Sequence, residues 1–137
     1  MISRHHHLLW LVLLAGCATT TPVDISGSDT QLAARQIQTR QYDTLDKAMT
    51  MRSVISTLQD LGFTIDQADT ELGAITATRY HQYTMRMTVT VVQRGNEQVS
   101  VRANARIGEN AVTDAATYQD FFVALDKAMF LTLQRVD

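Results

Sequence analysis

Between residues 85 and 107 apolar and polar side chains alternate. Met85, Met87, Val89 and Val91 are interleaved with Arg86, Thr88 and Thr90. After Arg94-Gly95-Asn96-Glu97, Val99, Val101, Ala103, Ala105 and Ile107 are interleaved with Ser100, Arg102, Asn104 and Arg106. A period of two puts every second side chain on the same face of an extended chain. The glycine-containing break supplies a turn, so the segment predicts a long antiparallel hairpin with one apolar and one polar face. Residues 63–68 and 74–80 read as further strands, joined by the turn-like Asp69-Thr70-Glu71-Leu72-Gly73, and the polar stretch 35–42, with Ile37, Thr39 and Tyr42, has extended character.

The period changes in two places. Leu45, Ala48, Met51, Ile55 and Leu58 recur every three or four residues, which predicts a helix, with Asp43 or Thr44 offering the N-cap oxygen. Leu61-Gly62-Phe63 reads as its end: Gly62 takes the left-handed conformation at C′ and Phe63 folds back onto Leu58. Towards the C-terminus Asp114 can cap a second helix, lined on one side by Tyr118, Phe121, Phe122, Leu125, Met129, Leu133 and Val136. The assembly that buries all these faces is α+β and two-layered, an antiparallel sheet of about four strands with two helices packed on one face.

The N-terminal pattern is of another kind. A short basic start containing Arg4 and His5 to His7 precedes an unbroken apolar run, Leu8 to Leu14, and then Ala15, Gly16 and Cys17. These are the parts of a signal peptide, and the run is far shorter than the ~20 residues a membrane-spanning helix needs. Residues 18–31 are rich in Thr, Ser, Gly and Asp and hold the only proline, Pro22, so they read as a flexible tether. The predicted organisation is a signal peptide over 1–16, Cys17 and a tether over 17–32, and one domain over 33–137.

Leu14-Ala15-Gly16-Cys17 resembles the lipobox of bacterial lipoproteins. The resemblance implies cleavage before Cys17 and acylation of the Cys17 thiol, often with a further acyl group on the new amino terminus. One chain binds a membrane marginally, whereas two or three anchor it stably. Ala18 stands where an inner-membrane lipoprotein of that family would carry Asp. This implies, for a Gram-negative source, the outer membrane with the domain facing the periplasm. The mature part is similar to small envelope lipoproteins of the helix-grip type through the helix end Leu58 to Phe63 and the helix start Tyr118 to Phe122. Those are packing motifs and speak to fold more than to function.

Composition narrows the chemistry. The chain has 137 residues, 45% hydrophobic and 19% charged, with a net charge of −2. Removing the 16 signal residues leaves 121, enough to bury a core, and losing Arg4 makes the net charge −3, which gives no case for nucleic-acid binding. The single cysteine has no disulfide partner in the chain, and beyond the signal only His81 remains. A zinc site built from several Cys or His ligands is excluded on those counts, and Ser-His-Asp and Cys-His catalysis are disfavoured. Asp66 and Asp69 flank a turn, and Asp43 and Asp46 sit at a helix start, so neither pair reads as glycosidase carboxylates. Met49 and Met51 diverge on a helix, while Met85 and Met87 share the core face, so packing rather than copper explains them. The expectation is a non-enzymatic protein with no cofactor beyond the lipid on Cys17.

Two surfaces remain as candidate sites. Residues 74–107 contain Arg79, Arg86, Arg94, Arg102 and Arg106 against one acid, Glu97. Alternation points Arg86, Arg102 and Arg106 to one side, where guanidinium forks suit an acidic protein surface, peptidoglycan carboxylates or lipid phosphates. The same residues also suit a merely solvated sheet face. Val123 and Phe130, seven apart and off the apolar stripe of the last helix, can form a ridge for a partner, unless the tether or first strand covers them. Two functions follow as expectations. One is an outer-membrane-anchored accessory or scaffold subunit that binds another envelope protein. The other is a peptidoglycan- or small-ligand-binding lipoprotein that uses the arginine face.

Overall fold

The computed structural model describes residues 25–134. The signal peptide over 1–16, Cys17, the first part of the tether and Val136 lie outside the described residues. The alternating segment forms the hairpin its period demands. Strands β4 (Thr84–Arg94) and β5 (Gln98–Ile107) pair antiparallel from Met85 opposite Ile107 to Arg94 opposite Gln98. Their inward residues Met85, Met87, Val89, Val91, Val99, Val101, Ala103 and Ala105 are all buried.

The remaining elements are α1 (Ile25–Gln38), β1 (Thr39–Tyr42), α2 (Lys47–Asp60), β2 (Thr64–Asp69), β3 (Ala74–Tyr80), β6 (Asn110–Ala111) and α3 (Ala115–Gln134). All pairings are antiparallel, in the order β1-β5-β4-β3-β2, with β6 added to β5. The fold is α+β, as the pattern predicts, but among the described residues the sheet has six strands rather than about four and there are three helices rather than two. The extra strands are short. β1 holds four residues and β6 two, and both pair with residues of β5 that β4 also pairs, on its opposite edge. Neither length shows a clear period of two.

The largest departure is α1. Its residues were expected to be tether up to 32 and extended from 35. Gln31-Leu32-Ala33-Ala34-Arg35-Gln36 is a run of strong helix formers, and only Ile37 packs against the core while Leu32 stays exposed. A helix held by one apolar residue carries no periodic signal, so its polarity resembles that of a linker. The strand that follows is correspondingly shorter, starting at Thr39.

Helix α2 starts later than expected. Asp46, not Asp43 or Thr44, is the N-cap, its carboxylate accepting from the Met49 N–H at 2.8 Å. Leu45 precedes the helix and is exposed, whereas Met49, Met51, Val54 and Leu58 are buried. The helix end is as read. Gly62 has φ 84°, and the Gly62 and Phe63 N–H groups donate to Gln59 and Leu58 carbonyls at 3.0 and 2.9 Å, the paired bonds of a Schellman cap. One core joins α2, the inward sheet face and Tyr118, Phe121, Phe122, Leu125 and Met129 of α3. Asp114 takes the capping role assigned to it, accepting from the Ala116 N–H at 3.3 Å.

The β2–β3 turn is folded tightly against β4. The Val91 N–H donates to the Gly73 carbonyl at 2.7 Å, and a Cβ on Gly73 would lie 2.2 Å from the Val91 carbonyl oxygen. Lys47 at the start of α2 closes over the same turn, its Nζ donating to the Glu71 carbonyl at 2.9 Å. At the opposite side of the sheet the gap between β1 and β6 on β5 is filled by a side chain. The buried Tyr118 hydroxyl accepts from the Ala105 N–H at 3.1 Å and donates to the Val112 carbonyl at 2.7 Å, and Gln38 Nε2 reaches it at 3.3 Å. One phenol thereby joins α3, β5, the segment after β6 and the end of α1.

Candidate functional site

The register places the polar side chains of the sheet in rows. Thr64, Thr78, Arg86, Arg106 and Ala111 occupy successive strands at one level, and Ala74, Thr90, Arg102 and Thr39 another. Arg86, Arg102 and Arg106 therefore share one face, and all three are exposed. They do not form one cluster. Arg86 and Arg106 are direct cross-strand partners, with Cβ atoms ~5 Å apart in such a pair, whereas Arg102 lies four residues along β5, ~14 Å away. Arg94 sits at the far end, opposite Gln98. Arg79 is on the other face. Its guanidinium lies 4.9 Å from the centre of the Phe63 ring and donates to the Leu61 carbonyl at 3.5 Å, closing the end of α2.

The pair is electrostatically unbalanced. Arg86 makes no hydrogen bond or ion pair among the described residues. Arg106 donates to the Glu109 carbonyl at 2.7 Å and faces its carboxylate at 3.6 Å, but the Glu109 side chain is 99% exposed, so water screens that contact. The nearest acid across the sheet, Asp66, accepts from the Thr78 hydroxyl at 2.6 Å. Like charges directly opposite one another on a sheet destabilise it. Arg86 and Arg106, with Thr84, Gly108 and Glu109, line a cavity of about 350 Å³ at this end of the hairpin.

The second surface is on α3. Val123 and Phe130 are 58% and 59% exposed, as their position off the stripe predicts, and no described element, β1 included, covers them. Leu131 and Leu133 are exposed on the same end of the helix as Phe130, although Leu133 was expected on the core stripe. A groove of about 350 Å³ between α2 and α3 is lined by Ser53, Ser56, Ala128 and Leu131 among others.

Two features lie outside those surfaces. The β3–β4 turn, where His81 between two strands and beside Tyr80 and Tyr83 reads from sequence as an exposed loop histidine, does expose it and borders a cleft of about 420 Å³ together with Leu61 and Arg79. The other is a clamp between β1 and α3: Asp126 accepts from Arg40 and, at 2.8 Å, from the Tyr42 hydroxyl, while the Arg40 guanidinium stands 4.9 Å over the Phe122 ring. Burial, then the bond to Asp126 and its charge, push the Tyr42 phenol well above its ordinary range, against a smaller opposing pull from Arg40.

Met49, Met51, Met85 and Met87 are all buried in the core. Among the described residues no three His, Cys, Asp or Glu side chains converge as a metal site would require, and no helix is long and apolar enough to cross a membrane. Compared with models of known protein families and with curated proteins, the chain matches none.

Proposed function

We propose that this chain is a lipid-anchored envelope protein, held through Cys17 at the outer membrane, whose periplasmic domain is a non-enzymatic accessory or scaffold subunit. The order Leu14-Ala15-Gly16-Cys17 supports the anchor. The observation that carries the interaction role is the apolar ridge of Val123 and Phe130, continued by Leu131 and Leu133 on α3 and covered by no other described element. Exposed apolar side chains gathered on the outer side of one helix suit a protein contact, and an apolar helix face laid into a partner's groove is a recurring mode of recognition.

Two variants test the two halves separately. Cys17→Ser is expected to abolish fatty-acid labelling and membrane retention; unchanged labelling removes the anchor. Val123→Asp with Phe130→Asp is expected to leave the fold and the labelling intact and to abolish co-purification of the envelope partner that the wild-type chain retains; undiminished recovery of that partner removes the ridge.

A second reading, a lipoprotein that binds peptidoglycan or a small anionic ligand, is favoured by one specific observation. Among the described residues no helix lies over the face that carries Arg86 opposite Arg106, and the one acid paired there is the solvent-exposed Glu109 beside Arg106. Retention on purified sacculi, compared between the wild-type chain and the Arg86→Glu, Arg102→Glu double variant, tests it, and equal retention excludes the electrostatic form.

A further inference from the structure

The like-charged pair on the sheet has a chemistry of its own. A strand partner for Arg86 chosen for stability would be an acid or a threonine, as its other neighbour Thr78 is. The residue present is a second arginine, and among the described residues the carboxylate paired with it, that of Glu109, extends into solvent. We propose that the cavity bounded by Thr84, Arg86, Arg106, Gly108 and Glu109 is a binding site for a phosphate group. The proposal rests on the arginine-face reading above and narrows it to one end of that face and one ligand chemistry.

Donor supply favours phosphate over carboxylate. Each guanidinium has five N–H donors in a fixed fork. Arg106 spends one of its donors on the Glu109 carbonyl, a bond that holds its side chain over the β5–β6 turn. Arg86 spends none on the described residues. One fork engages both oxygens of a planar carboxylate, so a second fork rising from an adjacent strand must meet it from another direction. A phosphate group presents three terminal oxygens in a tetrahedron and a charge approaching two, which matches two guanidinium groups approaching from different strands. Thr84, two residues before Arg86 and on the same side of β4, adds a hydroxyl at the rim. The turn is built to leave the approach open. Gly108 has φ 57°, with nothing within 4 Å of where a Cβ would stand. A cavity of about 350 Å³ also has room for part of whatever carries the phosphate. The group can belong to a free phosphomonoester or to a lipid headgroup.

The test uses the full-length chain in detergent, titrated with inorganic phosphate while amide shifts are followed, and in parallel offered to vesicles of phosphatidylcholine with or without phosphatidic acid, whose headgroup is a phosphomonoester. Phosphate is expected to shift the amides of Thr84, Arg86, Arg106 and Glu109. Arg86→Gln and Arg106→Gln should each weaken binding at least about tenfold, while Arg86→Lys, which keeps the charge but loses the fork, should weaken it by less. Arg102→Gln, far along β5, should bind within about twofold of the wild-type chain. Thermal midpoints show that each variant is folded, and Arg86→Gln, by removing a repulsion, should not lower its own. Retention only on the vesicles that contain phosphatidic acid identifies a headgroup as the source, and binding of inorganic phosphate without vesicle retention identifies a free phosphate compound. Equal weakening by Arg102→Gln, or acetate binding as tightly as phosphate, overturns the site. Loss of sacculus retention in the arginine variants without phosphate binding overturns the site and leaves the broader arginine-face reading standing.

Discussion

Replacing Tyr118 by Phe removes one oxygen and leaves three groups without it. The hydroxyl accepts from the Ala105 N–H at 3.1 Å, donates to the Val112 carbonyl at 2.7 Å and is reached by Gln38 Nε2 at 3.3 Å. The costs differ. The Ala105 N–H is on a residue 2% exposed, beyond the end of β1 and short of β6, so no strand can take over. A buried donor left unsatisfied costs about 1–3 kcal/mol. Val112 and Gln38 are only half-buried, and water can replace most of what they lose, at about 0.5–1 kcal/mol together. The ring itself stays, so no cavity term is added. The total is about 1.5–4 kcal/mol, which in a domain of this size lowers the melting midpoint by roughly 6–16 °C. Thermal unfolding followed by circular dichroism measures this, with Tyr80→Phe, at a site 73% exposed, as the control that should not move. Hydrogen exchange adds a local readout: the Ala105 amide should lose protection in the variant. A loss below about 1 kcal/mol with the Ala105 amide still protected would refute the view that this phenol completes the edge of β5.

Two further predictions concern the backbone and pH. Gly73→Ala must bear φ 73° and a Cβ placed 2.2 Å from the Val91 carbonyl oxygen, so it should cost at least about 2 kcal/mol. Gly95→Ala, with φ 59° but open space, should cost only about 1 kcal/mol, and equal costs would show that the close approach is unimportant. The Tyr42 phenol has its pKa raised in the folded state, first by burial and then by its bond to Asp126. Folding therefore favours its neutral form, so its contribution is complete below the unfolded value of about 10 and is lost as pH rises above it. Tyr42→Phe should flatten the decline of the melting midpoint above about pH 10, and parallel declines in the two proteins would contradict the assignment.

What could be read from the chain depended on how much apolar surface each element commits. The β4–β5 hairpin commits every second residue over two long strands, and its core face and the common side of Arg86, Arg102 and Arg106 follow from parity. The end of α2 was legible because Gly62 and Phe63 form a cap with a local rule. Helix α1 was not, because Ile37 packing on the core and a hydrogen bond from Gln38 are tertiary contacts that leave no periodic trace. Arg79 is instructive in the opposite sense. Counted by charge it joined the arginine group, but its odd number in β3 sends it to the helix side, where Phe63 and the Leu61 carbonyl receive it. The separation of Arg102 from the Arg86–Arg106 pair likewise needed the strand register, since charge counting treats the three alike.

If this domain meets another envelope protein through the outer face of α3, photo-crosslinking in intact cells should reveal it, from a reactive side chain placed at position 123 or 130 and, as a control, at position 64 on the exposed side of β2. One reproducible partner adduct is expected from 123 and 130, absent from 64 and lost when membrane retention is lost in Cys17→Ser. Recovery of monomer alone from 123 and 130, in cells where the chain is lipidated and folded, would contradict it.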